Sequence, residues 1–313
     1  MKKWIPLLLV CIAFAVCPAF ARDLNIVFVP KARDQDFWTF MRQGVERAVQ
    51  EDGHVNLTWR GAAYNDDIDS QIDIVRIYSK PDIDAIIIAA TDHARLAEPV
   101  RQAAALGIKI VAVDSALDGN AHVNFITTNN YAAGRMAAER LSTLMKGQGT
   151  VAVLRTNVGS GSTNERANGF VDYLKKKAPD MVIVADEYGG GTRGKSARSA
   201  AGLLEKYPNV DAIFAVNESS SDGVLRTLRH MGLAGKKKFI GFDTSDFLLE
   251  GLAKQEINAL VVQNPRQMGY LSMKAAVAAV RGAAIREPTI LTDAVMVTLE
   301  NYQKPEIQAL LVP

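Results

Sequence analysis

Cysteine is almost absent from this chain of 313 residues: there are two, Cys11 and Cys17, and both lie within the first 21 positions. The sequence after position 21 therefore has no thiol, which excludes disulfides, cysteine nucleophiles and cysteine metal ligands there. The four histidines are scattered without the spacing of metal ligands: they are His54, His93, His122 and His230. We therefore expect neither a metal ion nor a cofactor.

An excess of one charge is also lacking. The chain has 36 Lys and Arg against 34 Asp and Glu, and two of the positive residues, Lys2 and Lys3, lie in a leader segment that we expect to be removed. The remaining chain is then close to neutral. It has no basic excess with which to bind a phosphate backbone, so nucleic acid is excluded as an expected partner.

Long hydrophobic runs are missing as well, except at the start. Residues 5–16 are apolar, follow Lys2 and Lys3, and precede Ala19-Phe20-Ala21. These are the three parts of a secretory signal peptide, here residues 1–21 with cleavage after Ala21. The apolar run is too short to span a bilayer comfortably, and no later stretch approaches the required length. We expect an exported protein in the periplasm.

What the sequence does contain is a regular alternation of apolar runs and amphipathic segments. The apolar runs are residues 24–29, 55–59, 85–89, 108–113, 123–126, 151–154, 182–185, 212–216, 239–242 and 259–262. Nearly continuous apolar runs of this length suit strands that are covered on both faces. Segments of helical period separate them. The pattern predicts an α/β fold built on parallel sheets with helices on both sides.

The two halves of the chain also echo each other. Asp84-Ala85-Ile86 is matched by Asp211-Ala212-Ile213, and each is followed further on by a strand that ends in an aspartate, Asp114 in the first half and Asp243 in the second. This order predicts two Rossmann-like lobes of related build. Sheets of this kind bind ligands at the carboxyl ends of their strands, so two facing lobes form a binding cleft.

One motif suggests a different function, the binding of a nucleotide phosphate. Residues 189–196, Gly-Gly-Gly-Thr-Arg-Gly-Lys-Ser, fit the phosphate-binding pattern G-x-x-x-x-G-K-[ST] and follow a predicted strand. Asp186 and Glu187 stand between that strand and the glycines, and the first half has no equivalent. We therefore favour a glycine-rich loop that leads into a helix over 194–206, with a nucleotide hydrolase as the less favoured alternative.

Several motifs in order resemble a known family: DFW at 36–38, VAVDS at 111–115, TTNNYAAGRMAAERL from Thr127, STNERANGF from Ser162, FAVNES from Phe214, FIGFD from Phe239 and VVQNPRQMGY from Val261. In this order they resemble the type I periplasmic sugar-binding proteins, the ribose and galactose family of solute-binding components of ABC importers. The resemblance covers almost the whole chain after the leader.

The resemblance implies two lobes joined by a hinge of three crossings, near Thr127, Gln263 and Thr292. The first lobe would comprise residues 22–127 plus 264–292 and the second residues 128–263 plus 293–313. The family captures a small solute, usually a sugar or polyol, by closing the hinge and delivers it to a membrane ABC permease. Some members instead serve a sensor kinase or chemoreceptor. We expect a monomer.

Four candidate binding residues stand out by their chemistry. Phe37 and Trp38 follow the first strand, and aromatic faces stack on sugar rings, although either residue also suits the core. Asp114 and Asp243 end equivalent strands, where a carboxylate accepts hydrogen bonds from neighbouring hydroxyls. Each aspartate taken alone also suits a helix cap. Their equivalent placement in the two halves favours a ligand site.

Four more candidates follow, of which Arg166 and Gln263 come from the resemblance. Arg166 would offer a fork of donors to ring oxygen and hydroxyls, with a solvated helix arginine as the alternative. Asn217 can donate and accept, as a pair of hydroxyls requires, and Gln263 matches a hinge position that faces the cleft. Lys31, with Arg33, would either meet an acidic substituent or remain in water. Ser115 stands where ribose binders have an arginine, which argues against ribose itself.

An enzyme remains the least favoured class. Asp114 and Asp243 as paired carboxylates also suit glycoside hydrolysis, which requires one carboxyl group of raised pKa. Arg166 between them is expected to keep both ionised. No G-x-S-x-G nucleophile motif is present. We therefore expect a binding protein without catalytic residues.

Overall fold

The computed structural model describes residues 22–284 and 286–311, so the expected signal peptide lies outside the described residues. Strands and helices alternate along the chain. In chain order they are β1 (Leu24–Val29), α1 (Asp36–Asp52), β2 (Val55–Trp59), α2 (Ile68–Tyr78), β3 (Ala85–Ile88), α3 (Ala97–Ala105), β4 (Lys109–Val113), β5 (His122–Thr128), α4 (Asn130–Met145), β6 (Gly149–Arg155), α5 (Gly161–Lys177), β7 (Met181–Tyr188), α6 (Arg193–Lys206), β8 (Ala212–Ala215), α7 (Glu218–His230), β9 (Lys238–Phe242), α8 (Asp246–Ala253), β10 (Ala259–Gln263), α9 (Pro265–Val280), β11 (Thr289–Thr292), β12 (Ala294–Val297) and α10 (Pro305–Leu311).

The strands form two six-stranded sheets. The first has the order β11-β5-β4-β3-β1-β2 and the second the order β12-β10-β9-β8-β6-β7. We call the first sheet with α1, α2, α3 and α9 the first lobe, and the second sheet with the other helices the second lobe. Strand for strand the two orders match, which confirms the predicted fold of two related Rossmann-like lobes.

The central strands are covered on both faces, as their apolar composition predicts. In β1, Phe28 packs into a core with α1 and α9, whereas its neighbour Val27 packs on the other face with α2 and α3. Every residue of β3 and of β8 is buried. These four-residue strands are therefore held by packing on both sides, and their carboxyl ends are fixed in place.

Two edge strands differ from the prediction. β11 and β12 were not expected, and β12 pairs with β10 in the antiparallel direction while the other pairings are parallel. Both are four residues long and mostly half-buried or exposed, so they lack the continuous buried run that marks the central strands. Their sequences alone therefore give only a weak strand signal.

The chain crosses between the lobes three times, after β5, after β10 and between β11 and β12. The Thr128 hydroxyl donates to Gln263 Oε1 at 2.8 Å and lies 3.4 Å from the hydroxyl of Thr292. One polar side chain from each crossing thus meets at the same point. This contact ties the three crossings together.

A close helix crossing supports the second lobe next to the cleft. A Cβ built on Gly134 of α4 would lie 1.9 Å from the carbonyl oxygen of Arg166 on α5, and one on Gly169 of α5 would lie 2.1 Å from the carbonyl oxygen of Tyr131. Glycine is therefore required on both helices for their backbones to approach this closely. The crossing fixes the backbone of Arg166.

Within residues 22–284 and 286–311, the helices lack the combination of length and apolar composition that a membrane crossing requires.

Candidate functional site

The two aspartates predicted from the repeated order of the two halves occupy matching positions in the two sheets. Asp114 follows β4 with φ 62° and Asp243 follows β9 with φ 66°, both in the left-handed region. Asp114 N donates to the carbonyl of Ile126 at 2.9 Å, and Asp243 N donates to the carbonyl of Val261 at 2.8 Å. Aspartate tolerates this backbone better than most residues. Each chain turn therefore brings a carboxylate to the carboxyl end of its sheet.

These aspartates line a cavity between the two lobes that encloses about 350 Å³, part of it open to solvent. All eight residues expected from the sequence lie around it. They are Lys31, Phe37, Trp38, Asp114, Arg166, Asn217, Asp243 and Gln263.

Lys31 crosses from the first lobe to the second. Its Nζ lies 2.9 Å from Asp114 Oδ2 and donates to the hydroxyls of Ser160 at 3.3 Å and Ser162 at 3.2 Å. Lys31 is 5% exposed, so the expectation that it remains in water is wrong. Arg33, in contrast, is exposed. The three N–H groups of Lys31 thus have three protein partners.

Arg166 is almost fully buried, at 1% exposed, so its alternative as a solvated helix arginine is excluded. Its Nε donates to Asn130 Oδ1 at 2.8 Å and its Nη1 donates to the carbonyl of Val216 at 3.0 Å. The guanidinium lies over the ring of Phe242 at 3.9 Å. Its Nη2 is 4.0 Å from Asp114 Oδ1, close enough for one ligand hydroxyl to contact both.

Asp243 links the cavity to the crossings between the lobes. Its Oδ1 accepts from Gln263 Nε2 at 2.6 Å, and its Oδ2 accepts from Glu218 N at 3.1 Å and lies 3.8 Å from Arg166 Nη1. Gln263 in turn accepts from Thr128 with Oε1. The amide of Gln263 is therefore engaged by side chains, and it connects Thr128 to the carboxylate of Asp243.

Asn217 is mainly a helix cap. Its Oδ1 accepts from Ser220 N, and its Nδ2 donates to the hydroxyl of Ser219 at 3.2 Å. These contacts leave one amide N–H for a cavity ligand. Asn217 thus lines the cavity, but capping of α7 occupies most of its hydrogen-bonding capacity.

The aromatic pair is both core and cavity wall. Phe37 and Trp38 are 6% and 4% exposed, belong to the core under α1 and α9, and also line the cavity. Their rings meet edge to face with centroids 4.9 Å apart. The core alternative therefore holds, and because the same rings also line the cavity, stacking on a ligand stays a prediction.

Burial dominates the electrostatics of the cavity. It raises the pKa of Asp243 although Arg166 and Gln263 act in the opposite direction, and it lowers the pKa of Lys31 and of Arg166 although the carboxylates oppose it. Arg166 thus lowers the pKa of Asp243, but burial outweighs it, so the expectation that the aspartate pair contains no carboxyl group of raised pKa is wrong for Asp243. The four charges alternate in sign, from Lys31 to Asp114 to Arg166 to Asp243.

Four buried polar atoms around the cavity have no hydrogen-bond partner in the protein. They are Gln35 Nε2, Trp38 Nε1, Asn65 Oδ1 and Asn157 Oδ1. Two are donors and two are acceptors. Buried polar groups normally find partners, because an unpaired one costs about 1–3 kcal/mol. The arrangement therefore suits a ligand that both donates and accepts hydrogen bonds.

Seven cavity residues were not predicted as ligand contacts: Gln35, Asn65, Thr156, Asn157, Ser160, Ser162 and Thr163. Thr156 and Asn157 directly follow β6, the counterpart of β1. The rule that ligands bind at the carboxyl ends of strands would have identified both. Gln35 and Asn65 lie in loops away from a strand end, where the sequence carries no such signal.

Metal and phosphate chemistry find no support in the described part of the chain. No group of three or more His, Cys, Asp or Glu in it is arranged to hold a metal ion. At the phosphate-binding pattern, the carboxylate of Asp66 accepts from Gly191 N at 3.1 Å and pairs with Lys195 Nζ at 2.7 Å. An anionic side chain therefore already occupies the donors that would hold a phosphate.

The comparisons with known proteins agree with this geometry. A family model for the periplasmic binding protein domain matches residues 26–284. The chain is 27% identical over 284 residues to the D-allose-binding periplasmic protein of Escherichia coli (strain K12), a match that covers 86% of this chain and 90% of that protein.

Two solved structures are similar over nearly their whole length. A carbohydrate transporter solute binding protein from Agrobacterium radiobacter, in complex with D-arabinose, is 32% identical with a TM-score of 0.88 and covers 93% of this chain and 99% of its own. An ABC transporter solute binding protein from Agrobacterium vitis with bound D-fucose is 28% identical with a TM-score of 0.88 and covers 92% and 100%.

Proteins of this kind carry ligands and are not enzymes. The expectation of a non-catalytic protein is therefore confirmed, and neither the hydrolase nor the nucleotide-dependent alternative is retained. The chain belongs to the periplasmic binding protein family, and within it resembles the type I sugar-binding proteins of ABC importers, as its sequence motifs predict.

Proposed function

We propose that this chain captures a small neutral polyhydroxy ligand, a sugar or polyol, in the cavity between its lobes and delivers it to a membrane ABC importer. The observation that carries the proposal is the set of four unpartnered polar atoms, Gln35 Nε2, Trp38 Nε1, Asn65 Oδ1 and Asn157 Oδ1. A hydroxyl group both donates and accepts, so a ligand with several hydroxyls satisfies donors and acceptors alike.

The charges of the cavity favour a neutral ligand over an acidic one. Lys31 and Arg166 are balanced by Asp114 and Asp243, and the ammonium of Lys31 already has three protein partners. An acidic ligand would add a buried negative charge without a free cation to pair with it. Burying an unpaired charge is costly, so sugar acids are expected to bind weakly.

Closure of the hinge brings the contacts together. The first lobe supplies Trp38 and Asp114, the second supplies Arg166 and Asp243, and Gln263 stands at a crossing. A ligand that touches both lobes binds the closed form better and shifts the equilibrium toward it. We place the lobe boundaries at residues 22–127 plus 264–292 and 128–263 plus 293–313, because the side chains of the three crossings meet at Thr128.

The closed protein would present a joint surface of both lobes to its membrane partner. Cleavage of the leader after Ala21 would release the chain into the periplasm as a monomer. A sensor kinase or chemoreceptor in place of the permease would leave the ligand site unchanged. Neighbouring genes separate the two, since permease and ATPase genes favour import and a kinase gene favours sensing.

The proposal is tested by thermal unfolding of the exported protein, refolded to remove carried-over ligand, with D-allose, D-arabinose, D-fucose, polyols and, as the anionic control, D-gluconate. Ligand at about 1,000-fold above Kd adds about 4 kcal/mol of stability. For a chain of this size the Tm rises by several degrees. A rise with D-gluconate and with none of the neutral compounds contradicts the proposal.

A further inference from the structure

The glycine-rich segment, residues 189–196, is not among the residues that line the cavity, yet it contacts the first lobe. Gly191 N and Lys195 Nζ both donate to Asp66 Oδ2, at 3.1 and 2.7 Å. A Cβ on Gly191 would lie 2.9 Å from Asp66 N and 3.0 Å from the carbonyl carbon of Asn65. Glycine at 191 therefore lets the second lobe touch the backbone of the loop that carries Asn65.

Arg193, at the start of α6, contacts the other first-lobe loop. Its Nη1 donates to the carbonyl of Asp34 at 2.6 Å, and its Nη2 donates to Glu218 Oε1 at 2.6 Å. The second oxygen of Glu218 accepts from Phe37 N in the first lobe at 3.1 Å. Glu218 is completely buried. Arg193 and Glu218 of the second lobe thus hold residues 34–37 from both ends.

Gln35 and Asn65 lie in the two loops held in this way, and Trp38 lies in the first turn of α1, directly after residues 34–37. These three residues carry three of the four unpartnered atoms of the cavity. The contacts at Asp66, Asp34 and Phe37 join groups of different lobes and exist together only when the cleft is closed. Ion pairs at the surface contribute little by themselves, but Asp66 and Arg193 each bond a backbone group as well, which fixes the position of a loop.

We propose that the glycine-rich segment is a latch, in which Arg193 and Asp66 are positioning residues that hold the ligand-facing loops of the first lobe in place when the cleft closes. The latch rests on the proposed function, because it orders side chains that would contact a sugar. The latch explains why residues 189–196 match a phosphate-binding pattern: their donors bind an anionic group, which is here a carboxylate of the opposite lobe.

The first arm of the test uses the fluorescence of Trp38. In a Trp59→Phe background Trp38 is the only tryptophan after the leader. Arg193→Gln and Asp66→Ala are titrated with D-allose, D-arabinose and D-fucose, with Lys206→Gln as the control, since Lys206 lies on the same helix and pairs with Glu187 of its own lobe. We expect Kd to rise about tenfold in the two latch variants, mainly through faster dissociation, and bound Trp38 to become more accessible to acrylamide.

The second arm needs no sugar. Ser115 and Ser162 come from different lobes, and their hydroxyl oxygens are 3.3 Å apart. After the leader the chain has no cysteine, so a Ser115→Cys, Ser162→Cys pair forms one defined disulfide whose oxidation rate reports closure. Arg193→Gln and Asp66→Ala are expected to slow the oxidation several-fold, and Lys206→Gln to leave it unchanged.

The titration and the oxidation experiment together distinguish failure of the latch from failure of the proposed sugar function. If no sugar binds the parent but the latch variants slow oxidation, the proposed sugar function fails and the latch stands. If sugars bind the parent and both latch variants keep the parental Kd, quenching and oxidation rate, the latch is wrong and the sugar function stands.

Discussion

At the scale of single residues, the polar side chains around the cavity fall into two groups that the sequence does not distinguish. Lys31 and Gln263 form most of their hydrogen bonds with protein partners. Trp38 and Asn65, in contrast, each keep a buried polar atom without a partner. Direct contact with a ligand is therefore expected mostly from the second group, while the first group fixes the shape of the cavity.

Trp38→Phe tests this division. The variant keeps an aromatic face but removes the Nε1 donor, so we expect sugar affinity to fall about three- to tenfold, the value of one neutral hydrogen bond. In the ligand-free protein no protein hydrogen bond is lost, because Nε1 has no protein partner, so any loss of stability comes from the smaller ring in the core. Calorimetric titration gives the affinity, and Trp59→Phe, whose ring stacks on Phe28, is the control. Equal affinity of Trp38→Phe and the wild type would remove the Nε1 group from the site.

At the scale of helices and strands, the crossing of α4 and α5 sets the position of Arg166. Gly134 lies against the carbonyl of Arg166, so the guanidinium reaches the cavity from a backbone that cannot shift outward without losing helix packing. Packing of two helices thus controls a contact at the ligand site.

Gly134→Ala is expected to destabilise the protein, because the added Cβ would lie 1.9 Å from the Arg166 carbonyl oxygen. Overpacking of this kind costs about 1–3 kcal/mol or more, and urea unfolding measures it. Gly202→Ala is the matched control: Gly202 lies within α6 and has nothing within 4 Å of an added Cβ. This change should stabilise the helix by up to about 1 kcal/mol. Similar unfolding midpoints for both variants would contradict the close crossing.

The central strands and the edge strands β2 and β7 were predictable from sequence, whereas the edge strands β11 and β12 were not. Apolar runs such as residues 85–89 locate buried strands directly, and the paired Asp114 and Asp243 follow from the repeated order of the two halves. β11 and β12 escaped prediction because edge strands need no continuous apolar run. Gln35 and Asn65 escaped because their place depends on contacts with the opposite lobe, which no local pattern encodes.

At the scale of the whole molecule, Glu218 of the second lobe is completely buried and accepts a hydrogen bond from Phe37 N of α1 in the first lobe. Burial raises the pKa of Glu218 to about 8, and Asp36 and Asp243 add to the rise, while the Phe37 N–H and Arg193 act against it. The folded protein therefore binds this proton more tightly than the unfolded chain does.

The consequence is a defined pH dependence. A raised carboxyl pKa contributes stability that is fully present below the ordinary value of 4.5 and is lost as pH rises through about 8. The free energy of unfolding of the wild type should therefore fall relative to that of Glu218→Gln between about pH 5 and about pH 9, because the amide does not titrate. Urea unfolding at intervals over this range measures the difference. A difference that stays constant over this range would show that Glu218 is ionised in the folded protein.

The order of the elements along the chain also governs how the molecule can assemble during synthesis. The core of the first lobe includes Met268, Met273 and Ala276 of α9, and its sheet ends with β11. The ribosome makes both after the whole stretch from α4 to β10. The apolar face of the amino-terminal half therefore stays uncovered until α9 has been made. Five strands of the second lobe, β6 to β10, are made before α9, but its edge strand β12 is made only after β11. The two sheets therefore gain their final strands within a few residues of each other.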